Sequence, residues 1–250
     1  MGKLKREGEV PAMAKENAII VALDVPDWQT AQHLVSELYP VVDFFKIGME
    51  LFTAEGPKVV EAVKAMGARV FLDLKYHDIP NTVKGAVAAA ARLGVDMMTV
   101  HTAGGATMLR TAAEAVAALP QPPILLGVTV LTSIDEEMLS QELKVSARLA
   151  EQVIHLAKMA VSSGLQGIVA SPLEIGSLRQ ALGNEAILVT PGIRPAWEKR
   201  DDQKRVATPT EALTLGADYL VIGRPITAAR DPEAAAISIQ QEIAGRGKEV

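Results

Sequence analysis

The chain has 250 residues, of which 49% are hydrophobic and 22% are charged, and its formal net charge is −5. This length allows one sizeable hydrophobic core, and the mild negative charge argues against a generic nucleic-acid binder, which needs a basic face. The absence of cysteine excludes disulfides, zinc–thiolate sites and thiol catalysis, and it fits a reducing compartment. No apolar run approaches the ~20 residues of a membrane span. We therefore expect a cytoplasmic protein without nucleic-acid or membrane partners.

The two ends of the chain lack the pattern of the rest. Residues 1–17 are charged and have no apolar core of the kind found in secretory signals, so we expect a flexible N-terminal extension. Residues 244–250 are expected to form a frayed C-terminal tail. No composition shift or linker divides residues 18–243, which predicts a single domain there.

Eight short apolar runs recur along the chain, and each is nearly continuous rather than alternating with polar residues. Such runs are typical of parallel strands that are buried on both faces. Amphipathic segments of helical period lie between several of them. The predicted strands are 18–25, 43–48, 69–74, 96–101, 124–130, 167–171, 186–190 and 219–223, and the predicted helices are 28–39, 57–66, 82–93, 107–118 and 145–163.

The order of these elements predicts the fold class. Strand–helix alternation repeated eight times is typical of an α/β protein with a (β/α)8 TIM barrel. A doubly wound open sheet is the alternative, because periodicity does not show whether the sheet closes. Glycines are expected to end the helices that precede several strands, at positions 67, 94, 164, 183 and 216.

Charged residues are concentrated where the predicted strands end, which is where such barrels place their chemistry. Asp73 and Lys75 are two residues apart, so on a strand both point to the same side, the barrel interior near its mouth. Lys46 is near the end of the second strand, and Asp78 follows Lys75 in the loop. A buried lysine between carboxylates stays protonated and can donate a proton or stabilise a forming carbanion. A structural ion-pair network between strand ends is the alternative.

The loops after the seventh and eighth strands have the features of a phosphate site. Gly223 allows backbone N–H groups to approach an anion, and Arg224 offers a bidentate guanidinium group. Arg194, three residues after Pro191, brings a second guanidinium group. The polar loop 195–206 is either a lid that closes over the ligand or a solvated surface loop.

Motifs for metals and cofactors are missing from the sequence. It contains no HExxH, Walker A or GxGxxG pattern, and its four histidines lack metal-ligand spacing. We therefore expect neither a metal site nor a bound cofactor. His101, at the end of the fourth strand, is either a catalytic residue or a hydrogen-bonded packing residue.

One segment carries a specific resemblance. Residues 71–82, FLDLKYHDIPNT, closely resemble the active-site signature of the orotidine 5′-phosphate decarboxylase family. The Asp-x-Lys-x-x-Asp core alone is shared with related sugar-phosphate decarboxylases and hexulose-phosphate synthases, but TPGIR and VLTS argue for the orotidylate branch. Further blocks resemble that family in the same order, together spanning about residues 18–232: VALD at 21–24, FKIG at 45–48, VLTS at 130–133, TPGIR at 190–194 and VIGRP at 221–225.

The resemblance implies a cofactor-free homodimer that converts orotidine 5′-monophosphate to UMP and CO₂, with active sites shared between two subunits. It implies that Lys75 donates a proton to C6 of the pyrimidine and that Asp73 lies beside the departing carboxylate. Lys46 and Asp78 complete the charged network, with Asp78 reaching the neighbouring subunit's site. A nucleotide-binding sensor on the same barrel is the non-enzymatic alternative, and the metal-using sugar-phosphate enzymes are the enzymatic one.

The implied substrate contacts divide by the part of the nucleotide that they touch. They are Asp24 and Lys46 for the ribose; Thr132 and Ser133 for the pyrimidine; Arg194, Gln203 on the polar loop, Gly223 and Arg224 for the phosphate; Asp78 and Thr82 across the dimer interface; and Asp73, Ile79 and Pro191, which complete the set.

Overall fold

The computed structural model describes residues 18–195, 197 and 206–245. Its eight parallel strands form a closed barrel in chain order, which confirms the predicted (β/α)8 fold. The pairing of the last strand with the first, which places Ile20 opposite Val221, excludes the open-sheet alternative. The strands are β1 (Ile19–Leu23), β2 (Phe44–Gly48), β3 (Arg69–Tyr76), β4 (Met97–His101), β5 (Ile124–Val128), β6 (Gly167–Val169), β7 (Ile187–Thr190) and β8 (Tyr219–Ile222).

Ten α-helices lie in the described ranges. The five predicted ones are present; the other five, one after the second strand and four after residue 163, were not predicted. They are α1 (Trp28–Leu38), α2 (Met49–Glu55), α3 (Lys58–Ala65), α4 (Pro80–Arg92), α5 (Gly105–Ala117), α6 (Leu149–Ser162), α7 (Ile175–Leu182), α8 (Pro209–Thr214), α9 (Arg224–Thr227) and α10 (Pro232–Gly245). No helix among these residues is both long and apolar enough to cross a membrane.

Helix α6 begins four residues later than its predicted start at residue 145. Arg148 is its N-cap, with extended backbone angles of φ −66° and ψ 151°. The Glu151 carboxylate accepts the Arg148 N–H at 3.4 Å and pairs with its guanidinium group. The helix therefore starts at Leu149, because capping at Arg148 fixes its first turn there.

Two apolar clusters show how the barrel is filled. One combines strand residues such as Val21 and Met98 with the inner faces of the helices. The other consists of strand residues alone, including Ile20, Phe71 and Met97. Since neighbouring strand residues point to opposite sides, the second cluster fills the barrel interior. On β4 this alternation places Met97, and therefore Thr99, inside.

Polar side chains close the N-terminal end of the barrel, opposite the strand ends that carry the charged residues. The Arg179 guanidinium donates to the carbonyl oxygens of Gly216 and Ala186 and to the Asp218 carboxylate, at 2.7 to 2.8 Å. Asp218 also accepts the N–H of Leu188 on β7 at 2.8 Å. These bonds tie the turn before β8 to the start of β7, so this end of the barrel is structural.

Chain reversals between helices and strands use the predicted glycines. All five have positive φ, between 74° and 106°, which confirms their expected role after the helices. The predicted extension at residues 1–17 lies outside the described residues, as do residues 246–250 of the predicted tail. Several strands end earlier than predicted, β1 at Leu23 and β5 at Val128, because the chain leaves the ladder to form the loops at the barrel mouth.

Candidate active site

A cavity of about 550 Å³ opens at the C-terminal mouth of the barrel. Its lining comes from the ends of β1, β2, β3, β5 and β6 and from the segments that follow β7 and β8. Its floor is formed by inward-facing apolar residues such as Phe71, Val169 and Val221. The predicted site residues in its wall are Asp24, Lys46, Asp73, Lys75, Thr132, Pro191, Arg194, Gly223 and Arg224.

Alternating charges lie side by side along one wall of this cavity. The Lys75 Nζ lies 2.8 Å from Asp73 Oδ2, and the Lys46 Nζ lies 3.8 Å from the same oxygen. Lys46 Nζ also donates to Asp24 Oδ1 at 2.8 Å. The side chains of Lys46 and Asp73 are only 9% and 13% exposed, so these charges depend on one another for compensation.

The backbone of β3 departs from regular strand geometry at this wall. In its ladder with β4, Leu72 pairs with Met98 and Tyr76 pairs with Val100. Between these two pairs β3 advances by four residues and β4 by two, so the register shifts. Lys75 lies within this shift and has φ 52°, in the left-handed region that lysine rarely adopts. Asp73 and Lys75 are therefore close, as predicted, but the backbone that carries Lys75 is irregular rather than that of a regular strand.

Thr99 on β4 is a site residue that the sequence reasoning missed. Its side chain is fully buried. The hydroxyl group lies 3.0 Å from Asp73 Oδ1 and 2.9 Å from the backbone nitrogen of Lys75. A polar residue at an inward-facing position of a predicted strand was the signal that could have identified it.

The two arginines lie at the other side of the cavity, on the segments after β7 and β8. Arg194 follows Gly192, which has φ 77°, and Arg224 is the first residue of α9. An isolated bridge between Ile193 and Ala207 joins the two ends of the polar loop. Two guanidinium groups facing the cavity from this side provide donors for an anion.

His101 lies beside the site but not in the cavity lining. Its ring stacks on that of His77 with a centroid separation of 5.4 Å, and its Nδ1 accepts the Ala103 N–H at 3.2 Å. Burial lowers the pKa of His101 below its ordinary value, and the charges of His77 and Lys75 act in the same direction. These contacts support the interpretation of His101 as a hydrogen-bonded packing residue.

Comparison with known proteins places the chain in a family. The model of the orotidine 5′-phosphate decarboxylase / HUMPS family matches residues 17–239. The chain belongs to this family. The orotidine 5′-phosphate decarboxylase of Moorella thermoacetica is 55% identical over 240 residues, covering 94% of this chain and 95% of that protein. That of Nostoc sp. is 51% identical over 230 residues, covering 90% of this chain and 96% of that protein.

A solved structure shows the same relationship in three dimensions. The crystal structure of orotidine 5′-phosphate decarboxylase from Lactobacillus acidophilus aligns with a TM-score of 0.82 and 41% sequence identity. The alignment covers 91% of this chain and 99% of that one. The resemblance carried by residues 71–82 is thus confirmed at the level of the orotidine 5′-phosphate decarboxylase / HUMPS family.

The family signature divides between two places in this chain. Asp73 and Lys75 line the cavity, whereas Asp78, Ile79 and Thr82 are exposed and lie outside the lining. Ile79 is 68% exposed, and its N–H donates to the Asp78 carboxylate at 2.6 Å. Ser133 is likewise exposed beyond the lining. Gln203 and most of the predicted lid lie outside the described residues.

Among the described residues, no group of three or more His, Asp or Glu side chains is placed to hold a metal ion.

Proposed function

We propose that this protein decarboxylates orotidine 5′-monophosphate to UMP and CO₂ without a metal or organic cofactor, and that Lys75 stabilises and protonates the C6 carbanion. The observation that carries this proposal is the Lys75 ammonium, held 2.8 Å from Asp73 in a cavity whose other side presents Arg194 and Arg224. The names of the family and of its relatives from Moorella and Nostoc support the choice of substrate.

The reaction requires a positively charged group beside C6 of the pyrimidine. When the bond between C6 and the carboxylate breaks, CO₂ leaves and the electron pair stays on C6 in the plane of the ring, where it is poorly delocalised. The Lys75 ammonium stabilises that charge and then transfers its proton to C6, forming UMP. The resulting amine recovers a proton from water. An ammonium already fixed by Asp73 needs little reorganisation as the charge develops.

Asp73 has a second consequence for the bound substrate. Its carboxylate lies at the same wall as Lys75, next to the expected position of the substrate carboxylate. Two negative groups in a largely buried site repel each other, and loss of CO₂ removes one of them. Lys46, 3.8 Å from Asp73, keeps this wall from carrying excess negative charge before substrate binds.

The remaining proposed contacts of the nucleotide come mostly from residues that line the cavity; Ser133 lies outside the lining, and Gln203 lies outside the described residues. Arg194, Gly223 and Arg224, together with Gln203 on the loop, bind the phosphate; Asp24 and Lys46 bind the ribose hydroxyls; Thr132, Ser133 and Pro191 border the pyrimidine. Phosphate binding far from C6 contributes to the reaction if it drives closure of the loop over the substrate.

The exposed part of the signature supports a homodimer with shared sites. Asp78, Ile79 and Thr82 lie past the end of β3, exposed and outside the lining of their own cavity. In the proposed dimer they enter the partner's cavity, where Asp78 adds a carboxylate beside Lys75. Burial of Ile79, 68% exposed in the single chain, contributes apolar area to that interface.

Subunit complementation tests the shared site. Lys75→Ala and Asp78→Asn are each expected to be inactive as pure proteins. Every site takes Lys75 from one subunit and Asp78 from the other, so a mixed dimer has one intact site and one site that carries both substitutions. An equilibrated equimolar mixture, in which half of the dimers are mixed, therefore recovers about one quarter of wild-type activity. A mixture no more active than its components, or a fully active monomer in sedimentation, would contradict the shared site.

The decisive test of the function is turnover of orotidine 5′-monophosphate, followed by ultraviolet absorbance, in excess EDTA. Activity that persists with chelator supports the proposal. Activity that vanishes on chelation and returns with a divalent metal favours the metal-using sugar-phosphate branch. Tight UMP binding without turnover favours a nucleotide sensor.

A further inference from the structure

The hydroxyl group of Thr99 joins the two residues at the centre of the proposed chemistry. It lies 3.0 Å from Asp73 Oδ1 and 2.9 Å from the backbone nitrogen of Lys75. Thr99 is fully buried and does not line the cavity. Any effect that it has on a bound nucleotide must therefore pass through Asp73 or Lys75.

The chemistry of the three groups fixes the direction of both hydrogen bonds. A backbone N–H only donates, so the Thr99 oxygen accepts from Lys75. The single hydroxyl hydrogen is then free to donate to Asp73 Oδ1, since an ionised carboxylate only accepts. One hydroxyl group thus satisfies a donor of one residue and an acceptor of the other.

Each bond controls a different part of the geometry. With Oδ1 held by Thr99, the Asp73 carboxylate presents Oδ2 to the ammonium groups of Lys75 and Lys46. The second bond supports the Lys75 backbone where the ladder to β4 shifts register and φ is 52°. Conformations of this kind persist only when surrounding contacts hold them.

We propose that Thr99 is a positioning residue for the decarboxylation, an inference that rests on the function proposed above. Its hydroxyl group orients the Asp73 carboxylate and the backbone of Lys75, so that the ammonium is fixed where C6 of the substrate will lie. A merely structural hydroxyl would affect stability alone. A positioning hydroxyl affects the chemical step and leaves nucleotide binding unchanged.

Steady-state kinetics of matched variants separates these roles. Thr99→Val removes the hydroxyl at constant shape and is expected to lower kcat by about 10- to 100-fold, the equivalent of one hydrogen bond to a charged group. The dissociation constant of UMP should stay within about twofold, since Thr99 touches no part of the cavity. Thr99→Ser keeps the hydroxyl and should restore most of kcat. Thr102→Val, which removes a buried hydroxyl bonded to the Val128 carbonyl, is the control and should keep wild-type kcat.

Wild-type kcat in Thr99→Val, or a Thr99→Ser variant as impaired as Thr99→Val, would overturn the inference. If Thr99→Val does not fold, Thr99→Ala and Thr99→Ser form a second pair that differs by the hydroxyl alone. If the wild-type chain does not decarboxylate orotidine 5′-monophosphate, the proposed function fails separately. In that case the positioning role of the Thr99 hydroxyl is tested by hydrogen exchange of the Lys75 backbone amide, measured by NMR in the wild type and in Thr99→Val. Exchange at least about 10-fold faster in Thr99→Val supports the role, and unchanged exchange refutes it.

Discussion

The Lys46 ammonium lies 2.8 Å from the Asp24 carboxylate, yet the Lys46 side chain is 9% exposed and that of Asp24 is 60% exposed. The pair therefore joins the buried charges of the wall to the open rim of the cavity. From the rim, one oxygen of Asp24 is accessible to a ligand while the other holds Lys46. This arrangement suits a ribose hydroxyl, which donates to the carboxylate and accepts from the ammonium.

Replacement of Asp24 tests the ribose contact. Asp24→Asn keeps an oxygen that accepts from Lys46 but removes the negative charge that we propose binds the ribose hydroxyl. We expect KM for orotidine 5′-monophosphate to rise by about 10- to 100-fold with a smaller change in kcat, because the contact is made in both ground and transition states. Glu61→Gln, on the exposed face of α3, is the control. A loss confined to kcat would show that Asp24 acts on the chemistry instead.

Removal of the phosphate from the substrate tests the arginine side of the cavity. Arg224→Ala should lower kcat/KM for orotidine 5′-monophosphate by about 100-fold, since a charge-assisted bidentate contact is lost. Turnover of orotidine, which has no phosphate, should be slow and equal in the variant and the wild type. Equal losses on both substrates would place Arg224 in a role other than phosphate binding.

Much of the fold could be predicted from the sequence, because the barrel repeats one strand–helix unit eight times. Each buried strand is a continuous apolar run, and each glycine before a strand marks the end of a helix. Four of the five missed helices have eight residues or fewer, and α2 directly follows Gly48 at the end of β2, so they leave little periodic signal. The fifth, α10, has 14 residues, but its apolar residues are spread around the helix rather than gathered on one face. The start of α6 was misplaced because capping at Arg148, rather than apolar spacing, determines it.

Less of the site could be predicted from the sequence, because several of its properties depend on backbone geometry. The spacing of Asp73 and Lys75 predicted that both side chains face the barrel interior, but not the register shift or the φ of 52° at Lys75. Thr99 was missed although a polar residue at an inward-facing strand position was a signal in the sequence; its two hydrogen bonds appear only when β4 is placed against this irregularity. The exposed position of Asp78 also required the structure, since the sequence does not show where the loop leaves the barrel.

Arg179 should contribute to stability without contributing to the reaction. Its guanidinium joins Asp218 and the carbonyls of Gly216 and Ala186 at the end of the barrel remote from the cavity. Arg179→Met should lower the free energy of unfolding by about 2 to 3 kcal/mol. The loss is smaller than for a fully buried ion pair, because Asp218 is partly exposed and solvent screens its charge. Urea denaturation measures this loss, and kcat of the folded variant should be unchanged. Arg110→Met, on an exposed face of α5, should shift stability by less than about 0.5 kcal/mol. Equal effects of the two variants would contradict the assignment.

Protonation of His101 should destabilise the fold in weak acid. Its pKa is lowered from 6.5 in the folded state, first by burial and then by His77 and Lys75. The unfolded chain therefore binds more protons below about pH 6.5, and stability falls as pH falls through this range. His101→Asn, which retains an acceptor for the Ala103 N–H, should show a smaller loss of unfolding free energy between pH 8 and pH 5. Identical pH dependence in both proteins would argue against a titrating His101.

The most direct measurement is the rate of UMP formation by Lys75→Ala from saturating orotidine 5′-monophosphate, in EDTA and with UMP binding measured on the same sample. Loss of the ammonium should lower the rate by roughly 10⁴-fold or more while the variant still folds and binds UMP. Lys58→Ala, an exposed lysine on α3, should retain the wild-type rate. A folded Lys75→Ala protein that turns over substrate within about tenfold of wild type would contradict the account, because the proton and the stabilising charge would then come from another group.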